Sequence, residues 1–208
     1  MNIVISAGPT REKIDAVRFL SNRSTGKMGY AIAAAAASLG HRVTLVSGPV
    51  TLPPPPGVTL RRVESAADMA AAMHETAPDG DVVIMAAAVA DYRPVNPVAN
   101  KMKKASGNLF LELERTEDIL QSLGQAKRPG QLLVGFAAET DDLTANALGK
   151  LNRKNLDWIV ANDVSRSDRG FGADTNAVTL FCHDGRRIDL PLADKTAIAK
   201  QILEYILP

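Results

Sequence analysis

Short β-branched, apolar runs alternate with alanine-rich stretches, and no other feature of the 208-residue sequence limits the possible folds as much. Apolar runs at 3–6, 43–46, 58–63 and 81–85 are interleaved with stretches of helical composition at 26–39 and 66–76. Strand, helix and strand at this spacing predict βαβ units, hence a parallel sheet with helices on both faces. Val82-Val83-Ile84-Met85 and Leu132-Leu133-Val134 are continuously apolar, as expected of strands covered on both sides. The expected class is therefore α/β: Rossmann-like, with a mostly parallel central sheet. At 46% hydrophobic content the chain can bury one real core, so residues 1–208 are read as a single domain.

The second half departs from strict alternation. Residues 108–114 read as extended, Thr116 as the cap of a helix through Leu123, residues 141–153 as a helix and Trp158-Ile159-Val160 as a buried strand. Segments 177–181 and 188–192 flank the polar turn His183-Asp184-Gly185-Arg186, which predicts an edge β-hairpin at about 175–192. A helix over 195–206 closes the domain. The proline-rich run 51–57 is a stiff spacer without chemistry. The polar segment at about 93–107 contains Pro94, Pro97, Lys101, Lys103 and Lys104, and its length marks it as a flexible lid.

Composition excludes several classes of function. Formal net charge is +1, giving no global field toward nucleic acid or anionic membrane. With 4% aromatic residues, a stacking platform for single strands is also disfavoured. The longest apolar run, 31–37, falls far short of the roughly 20 residues that span a bilayer, and the N-terminus has no signal-peptide pattern. A single cysteine, Cys182, forms no intramolecular disulfide, and no Cys/His spacing suits zinc, which fits a reducing cytoplasm.

Ligands of open parallel sheets bind outside the carboxyl ends of the strands. The first such end leads into Ser21-Asn22-Arg23-Ser24-Thr25-Gly26-Lys27-Met28-Gly29. This is no P-loop, because Ser21 stands where glycine is needed and Met28 where Ser or Thr is needed. Nor does it hold a GxGxxG fingerprint. Asn22, Ser24 and Thr25 precede the alanine-rich helix as ordinary caps or as donors to a phosphate, with Gly26 allowing close backbone approach. Asp91, after the alanines at 86–88, serves either a ribose or metal, or a cap or loop ion pair. The lysines at 101, 103 and 104 form a solvated patch or a closure over a triphosphate. Lys150 and Lys154, four apart on a helix, either join that cluster or lie on the plain surface. His41, His74 and His183 show no triad pattern and are read as surface or cap residues.

Seven motifs in order, "AGPTRE", "SNRSTGKMG", "AAAVADYRP", "KMKK", "VGFAAET", "KNLDWIVANDVS" and "GFGADTNAV", resemble those of phosphopantothenoylcysteine synthetase across nearly the whole chain. The resemblance implies a ligase of coenzyme A biosynthesis. It would join 4′-phosphopantothenate to L-cysteine through an acyl-cytidylate formed from CTP, giving 4′-phosphopantothenoylcysteine, CMP and pyrophosphate. It places the nucleotide at Met85, Ala86, Ala87, Asp91, Glu117, Asp118, Ile119, Leu120, Phe136, Lys150 and Lys154. Lys101 would promote acyl-nucleotide formation. Asn22 would serve the second half-reaction, beside substrate-binding Ser24 and Gly26.

The resemblance further implies Mg2+ with the CTP, its ligands unassigned, and a homodimer in which the edge hairpin is exchanged. The related bifunctional proteins carry a flavin-dependent phosphopantothenoylcysteine decarboxylase, a possible partner; its half is absent here, so the chain reads as a free-standing ligase or a ligase domain alone. Lys13 and Ala16 stand where many relatives have proline, a change expected to loosen that loop without removing a reactive group. The preference for CTP over ATP rests on the resemblance alone. Two other readings are an NAD(P)-dependent reductase, which requires the missing glycine fingerprint, and a non-catalytic nucleotide-binding module.

Overall fold

The computed structural model describes residues 1–104, 106–139, 142–163, 170 and 172–208. Eight strands form the central sheet: β1 (Asn2–Ala7), β4 (Arg42–Ser47), β5 (Val58–Arg62), β6 (Val82–Met85), β9 (Leu132–Glu139), β10 (Trp158–Asp163), β11 (Thr175–Cys182) and β12 (Arg187–Asp194). Their order is β12-β11-β10-β9-β6-β1-β4-β5. The six strands from β10 to β5 are parallel, and β11 and β12 join as an antiparallel hairpin at one edge. Helices α1 (Lys27–Ser38), α2 (Ala66–Thr76), α3 (Ile119–Gln125), α4 (Leu143–Arg153) and α5 (Lys195–Ile206) complete the framework.

The period of two along each strand divides the core in two. Ile3, Ile5, Val43, Leu45, Ile84, Val134 and Val160 face α1 and α5, which contribute Ile32, Ala36, Ile198 and Ile202. Val4, Val46, Val83, Leu133 and Ile159 face α2, α3 and α4 through Met69, Met73, Leu123 and Leu151. All four residues of β6 are buried, as a strand covered on both faces requires. Among the described residues, no helix is long and apolar enough to cross a membrane.

Sequence periodicity located α2 and α5 to the residue, because their apolar stripes are regular and Ser65 signals the start of α2 with a reciprocal capping box to Asp68. The expected edge hairpin is present, its strands extending to Thr175 and Asp194. The expectation of a helix from 141 lies partly outside the described residues; α4 begins at Leu143. Thr116 is not the cap of α3. Asp118 is, accepting from Gln121 N at 3.1 Å, while Thr116 Oγ1 donates to Ala90 O at 2.5 Å.

Two small ladders escaped the periodicity because each strand is three residues long. β2 (Arg11–Lys13) pairs with β3 (Phe19–Ser21), and β7 (Tyr92–Pro94) with β8 (Leu113–Arg115). The first lies in the loop that Lys13 and Ala16 were expected to loosen, yet Glu12 Oε1 pins it to Ala66 N at 2.8 Å. The second adds to two readings. The segment read as a lid begins in a strand, and of the extended stretch 108–114 only its end is ladder.

The topology reverses between β1 and β6. The chain steps from β1 outward to β4 and β5, then returns to β6 on the other side of β1 and continues to β9 and β10. Loops leaving β1 and β6 therefore diverge and open a crevice at the carboxyl ends of these strands.

Candidate functional site

A cleft of about 450 Å³ occupies this switch point, within the size range of small-molecule sites. Its first wall is the entrance to α1. Gly26 is the N-cap, with φ at 77° and no side chain capping the helix. The capping role expected of Asn22, Ser24 and Thr25 is thus not taken up at α1, and the first-turn N–H groups face the cleft region uncapped. A Cβ on Gly26 would lie 2.8 Å from Val50 Cγ1, and one on Gly29 would lie 2.6 Å from Ala7 Cβ. Both glycines let α1 sit directly against the end of β1.

The second wall is the loop after β6. Ala87 N donates to Ser6 Oγ at 3.1 Å, Ala88 N to Gly8 O at 2.9 Å and Ala90 N to buried Thr10 Oγ1 at 2.9 Å. These bonds bind the two diverging loops into one rim. Asn22 completes it by donating from Nδ2 to Ala88 O at 2.9 Å and Val89 O at 3.2 Å. Its amide donors therefore already serve the rim.

The third wall comes from the start of α3 and the ends of α4 and β9. Asp118 pairs with Lys154 at 2.8 Å, and Lys154 is the C-cap residue of α4. Glu117 Oε1 lies 2.6 Å from His74 Nε2 and accepts from Ser122 Oγ at 2.8 Å. His74, followed by Ser122, holds the Glu117 carboxyl below its usual pKa. Leu120 and Phe136 supply apolar lining.

At the floor, Asn162 and Asn176 stand within the quoted motifs, but the lysine beside them was not legible in the sequence. Lys195, the first residue of α5, is 6% exposed and donates to Gly170 O at 2.8 Å and Ala173 O at 2.6 Å. Burial first, then the positive charge of Lys27, push its pKa down, with Asp174 opposing. Lys27 itself pairs with Asp174 at 2.5 Å. Asn176 is buried, and the buried Asn162 Oδ1 has no hydrogen-bond partner among the described residues. One signal could have exposed Lys195: a lysine opening a helix opposes the positive end of the helix dipole and needs a reason to be there.

Of the residues expected at the site, Asn22, Ser24, Gly26, Met85, Ala86, Ala87, Asp91, Glu117, Asp118, Ile119, Leu120, Phe136 and Lys154 line this cleft. Lys101 and Lys150 do not. Lys101 is exposed on the segment between β7 and β8, and Lys150 lies in the last turn of α4. Among the described residues, no group of three His, Cys, Asp or Glu side chains is arranged to hold a metal ion.

Fold and site together define a Rossmann-like α/β domain with its ligand cleft at the topological switch point. The chain belongs to the DNA/pantothenate metabolism flavoprotein C-terminal domain family, which matches residues 1–208. It is 53% identical over 206 residues to the coenzyme A biosynthesis bifunctional protein CoaBC of Bacillus subtilis, covering 99% of this chain and 50% of that protein. The chain thus spans about half the length of the curated relatives it matches. The crystal structure of the C-terminal domain of a CoaBC protein superposes with a TM-score of 0.84 at 49% identity, covering 99% of this chain and 93% of that one. A Cab2 H337A variant in complex with phosphopantothenate-cysteine shares the fold, with a TM-score of 0.80 at 17% identity over 99% of this chain and 85% of that one.

Proposed function

We propose that the chain is a phosphopantothenate–cysteine ligase. The carrying observation is one cleft lined together by an uncapped helix N-terminus, a buried lysine, the alanine backbone after β6, carboxylates and Lys154. Such a cleft suits an acyl-cytidylate whose phosphopantothenoyl phosphate lies at the α1 entrance and whose nucleotide lies along Met85, Ala86, Ala87, Asp91 and 117–120.

In this reading the pantothenate carboxylate attacks the α-phosphorus of CTP, and pyrophosphate leaves. The α1 N–H groups, Ser24 and Gly26 hold the distal phosphate through partial positive charge, and Lys195 adds a full one. Held at both ends, the reactants meet without the entropy loss of a free encounter. Cysteine's amine then attacks the acyl carbonyl, loses a proton and displaces CMP. Asn22 stabilises the oxyanion of that step by exchanging one of its two carbonyl partners for the developing charge.

Magnesium enters with the triphosphate. The donors at the mouth are hard oxygens, as the ion requires, but Glu117 and Asp118 are engaged by His74 and Lys154, so Asp91 is the residue that would meet it. Its contribution would be charge neutralisation on the phosphates.

Lys101 lies outside the cleft of its own chain, which supports a second copy as the route by which it reaches a triphosphate. The resemblance puts the proposed homodimer at the edge hairpin. There β12 presents Arg187, Asp189 and Pro191, which disfavour edge pairing, beside the exposed Leu192. Leu109 and Phe110 are 61% and 86% exposed beside the two-stranded β7–β8 ladder, an apolar tip on an arm that its own chain anchors at the base. The arm is a second candidate contact for the dimer. The reductase alternative is disfavoured, because β2 and β3 occupy the connection where a compact glycine turn would lie. A cytoplasmic setting and a decarboxylase partner accompany the ligase reading.

The test supplies CTP, magnesium, phosphopantothenate and cysteine and follows pyrophosphate and amide product together. Pyrophosphate release with cysteine-dependent amide formation is expected; absence of the amide product would overturn the assignment. Lys101→Gln should block pyrophosphate release down to a small, measurable residual rate. Asn22→Asp should still release pyrophosphate and leave the acyl-cytidylate unconsumed, because an acid places negative charge beside the oxyanion.

A further inference from the structure

Asp15 is a buried carboxylate to which the mechanism above gives no task. It lies in the turn between β2 and β3 and is 3% exposed. Its two oxygens hold different things. Oδ1 accepts from Val17 N and Arg18 N, each at 2.8 Å, and so closes its own turn. Oδ2 accepts from Arg18 Nε at 2.9 Å, from Arg18 Nη2, and from Met102 N at 3.1 Å, across 87 residues of sequence. Arg18 Nη2 also donates to Met102 O at 3.0 Å.

One ion pair thus grips both polar groups of the Met102 backbone, one residue from Lys101. A second tie, Val98 N to Ile14 O at 3.1 Å, joins the same two segments. Charge-assisted bonds of this kind are stronger and more directional than neutral ones. A lysine on an untethered connection would sample many positions, and a misplacement of an ångström at a reacting centre costs on the order of 10²-fold in rate.

We propose that the Asp15–Arg18 pair is a positioning device for the lysine loop, fixing the Met102 backbone so that Lys101 is presented from a rigid base. The proposal rests on the assignment of Lys101 to acyl-cytidylate formation. It makes Asp15 a positioning residue, since it acts through Lys101.

Asp15→Asn separates the two functions of the carboxylate. With the amide oxygen on the turn, the amide nitrogen faces three donors and cannot accept from any of them. Hydrogen exchange at the Met102 amide should accelerate, and pyrophosphate release from phosphopantothenate and CTP should fall on the order of 10²-fold. Consumption of pre-formed acyl-cytidylate by cysteine should be unchanged.

The double variant with Lys101→Gln should be no slower than Lys101→Gln alone, because the two changes remove one function. Faster exchange with normal pyrophosphate release would overturn the proposal, as would multiplying losses in the double variant or equal loss in both half-reactions. If Asp15→Asn loses its cooperative urea transition, Arg18→Lys carries the same cycle, since it keeps the charge and loses the forked grip on Met102. Lys101→Gln with full activity would remove the lysine assignment itself, while the Met102 exchange would still report whether the tether exists.

Discussion

Lys195 places a cation where folding alone would not choose one. Because burial lowers its pKa, the folded chain binds this proton less tightly than the unfolded chain does. Stability therefore rises with pH between the folded value and the ordinary lysine value. Wild type should gain urea resistance over Lys195→Met on moving from neutral to alkaline pH. Added phosphopantothenate should shrink that gain by giving the ammonium a partner; equal slopes for the two proteins would refute it. Glu117 runs the other way. Its depressed pKa means that the His74 contact stabilises above the ordinary carboxylate range and is lost as pH falls through the folded value. Both side chains are about half exposed, so His74→Ala should cost at most about 1 kcal/mol of stability. Its main effect should be a raised KM for CTP, measured by pyrophosphate release.

At the scale of elements, α1 is held by close approach rather than by a side-chain cap. Gly29→Val would drive a branched side chain into Ala7 and should destabilise by about 1–3 kcal/mol in urea unfolding, with weaker phosphopantothenate binding. Ser65→Ala removes the α2 capping box far from the cleft. It should cost about 1 kcal/mol with unchanged turnover. How far each element was readable in the sequence follows the same physics. Long amphipathic or wholly apolar segments such as α2, α5 and β6 declare themselves by periodicity. β2, β3, β7 and β8 are too short to show a period and exist because of distant partners, as Glu12 and Ala66 illustrate. The site divides likewise. Asn22, Ser24, Gly26, Asn162 and Asn176 stood in contiguous motifs, whereas Lys195 reaches the cleft only through the folding of α5 against it.

For the molecule as a whole, the cleft is walled by its own chain while Lys101 lies outside it. If the arm carries the proposed dimer, Phe110→Asp should shift that dimer toward monomer in sedimentation and lower pyrophosphate release with it. A monomeric variant with full activity would show that Lys101 reaches the cleft of its own chain.

The packing of α5 against α1 across one face of the sheet has a consequence for biosynthesis. Within this chain α1 is synthesised well before α5, the helix that packs on it, and before the lysine at the floor of the cleft. A nascent chain interrupted before residue 195 would carry every conspicuous motif and still have an unsupported, open-bottomed cleft. On the proposed ligase function, chemistry on the activated acyl group would then wait until α5 has emerged and docked, a safeguard against reaction in a half-formed cleft.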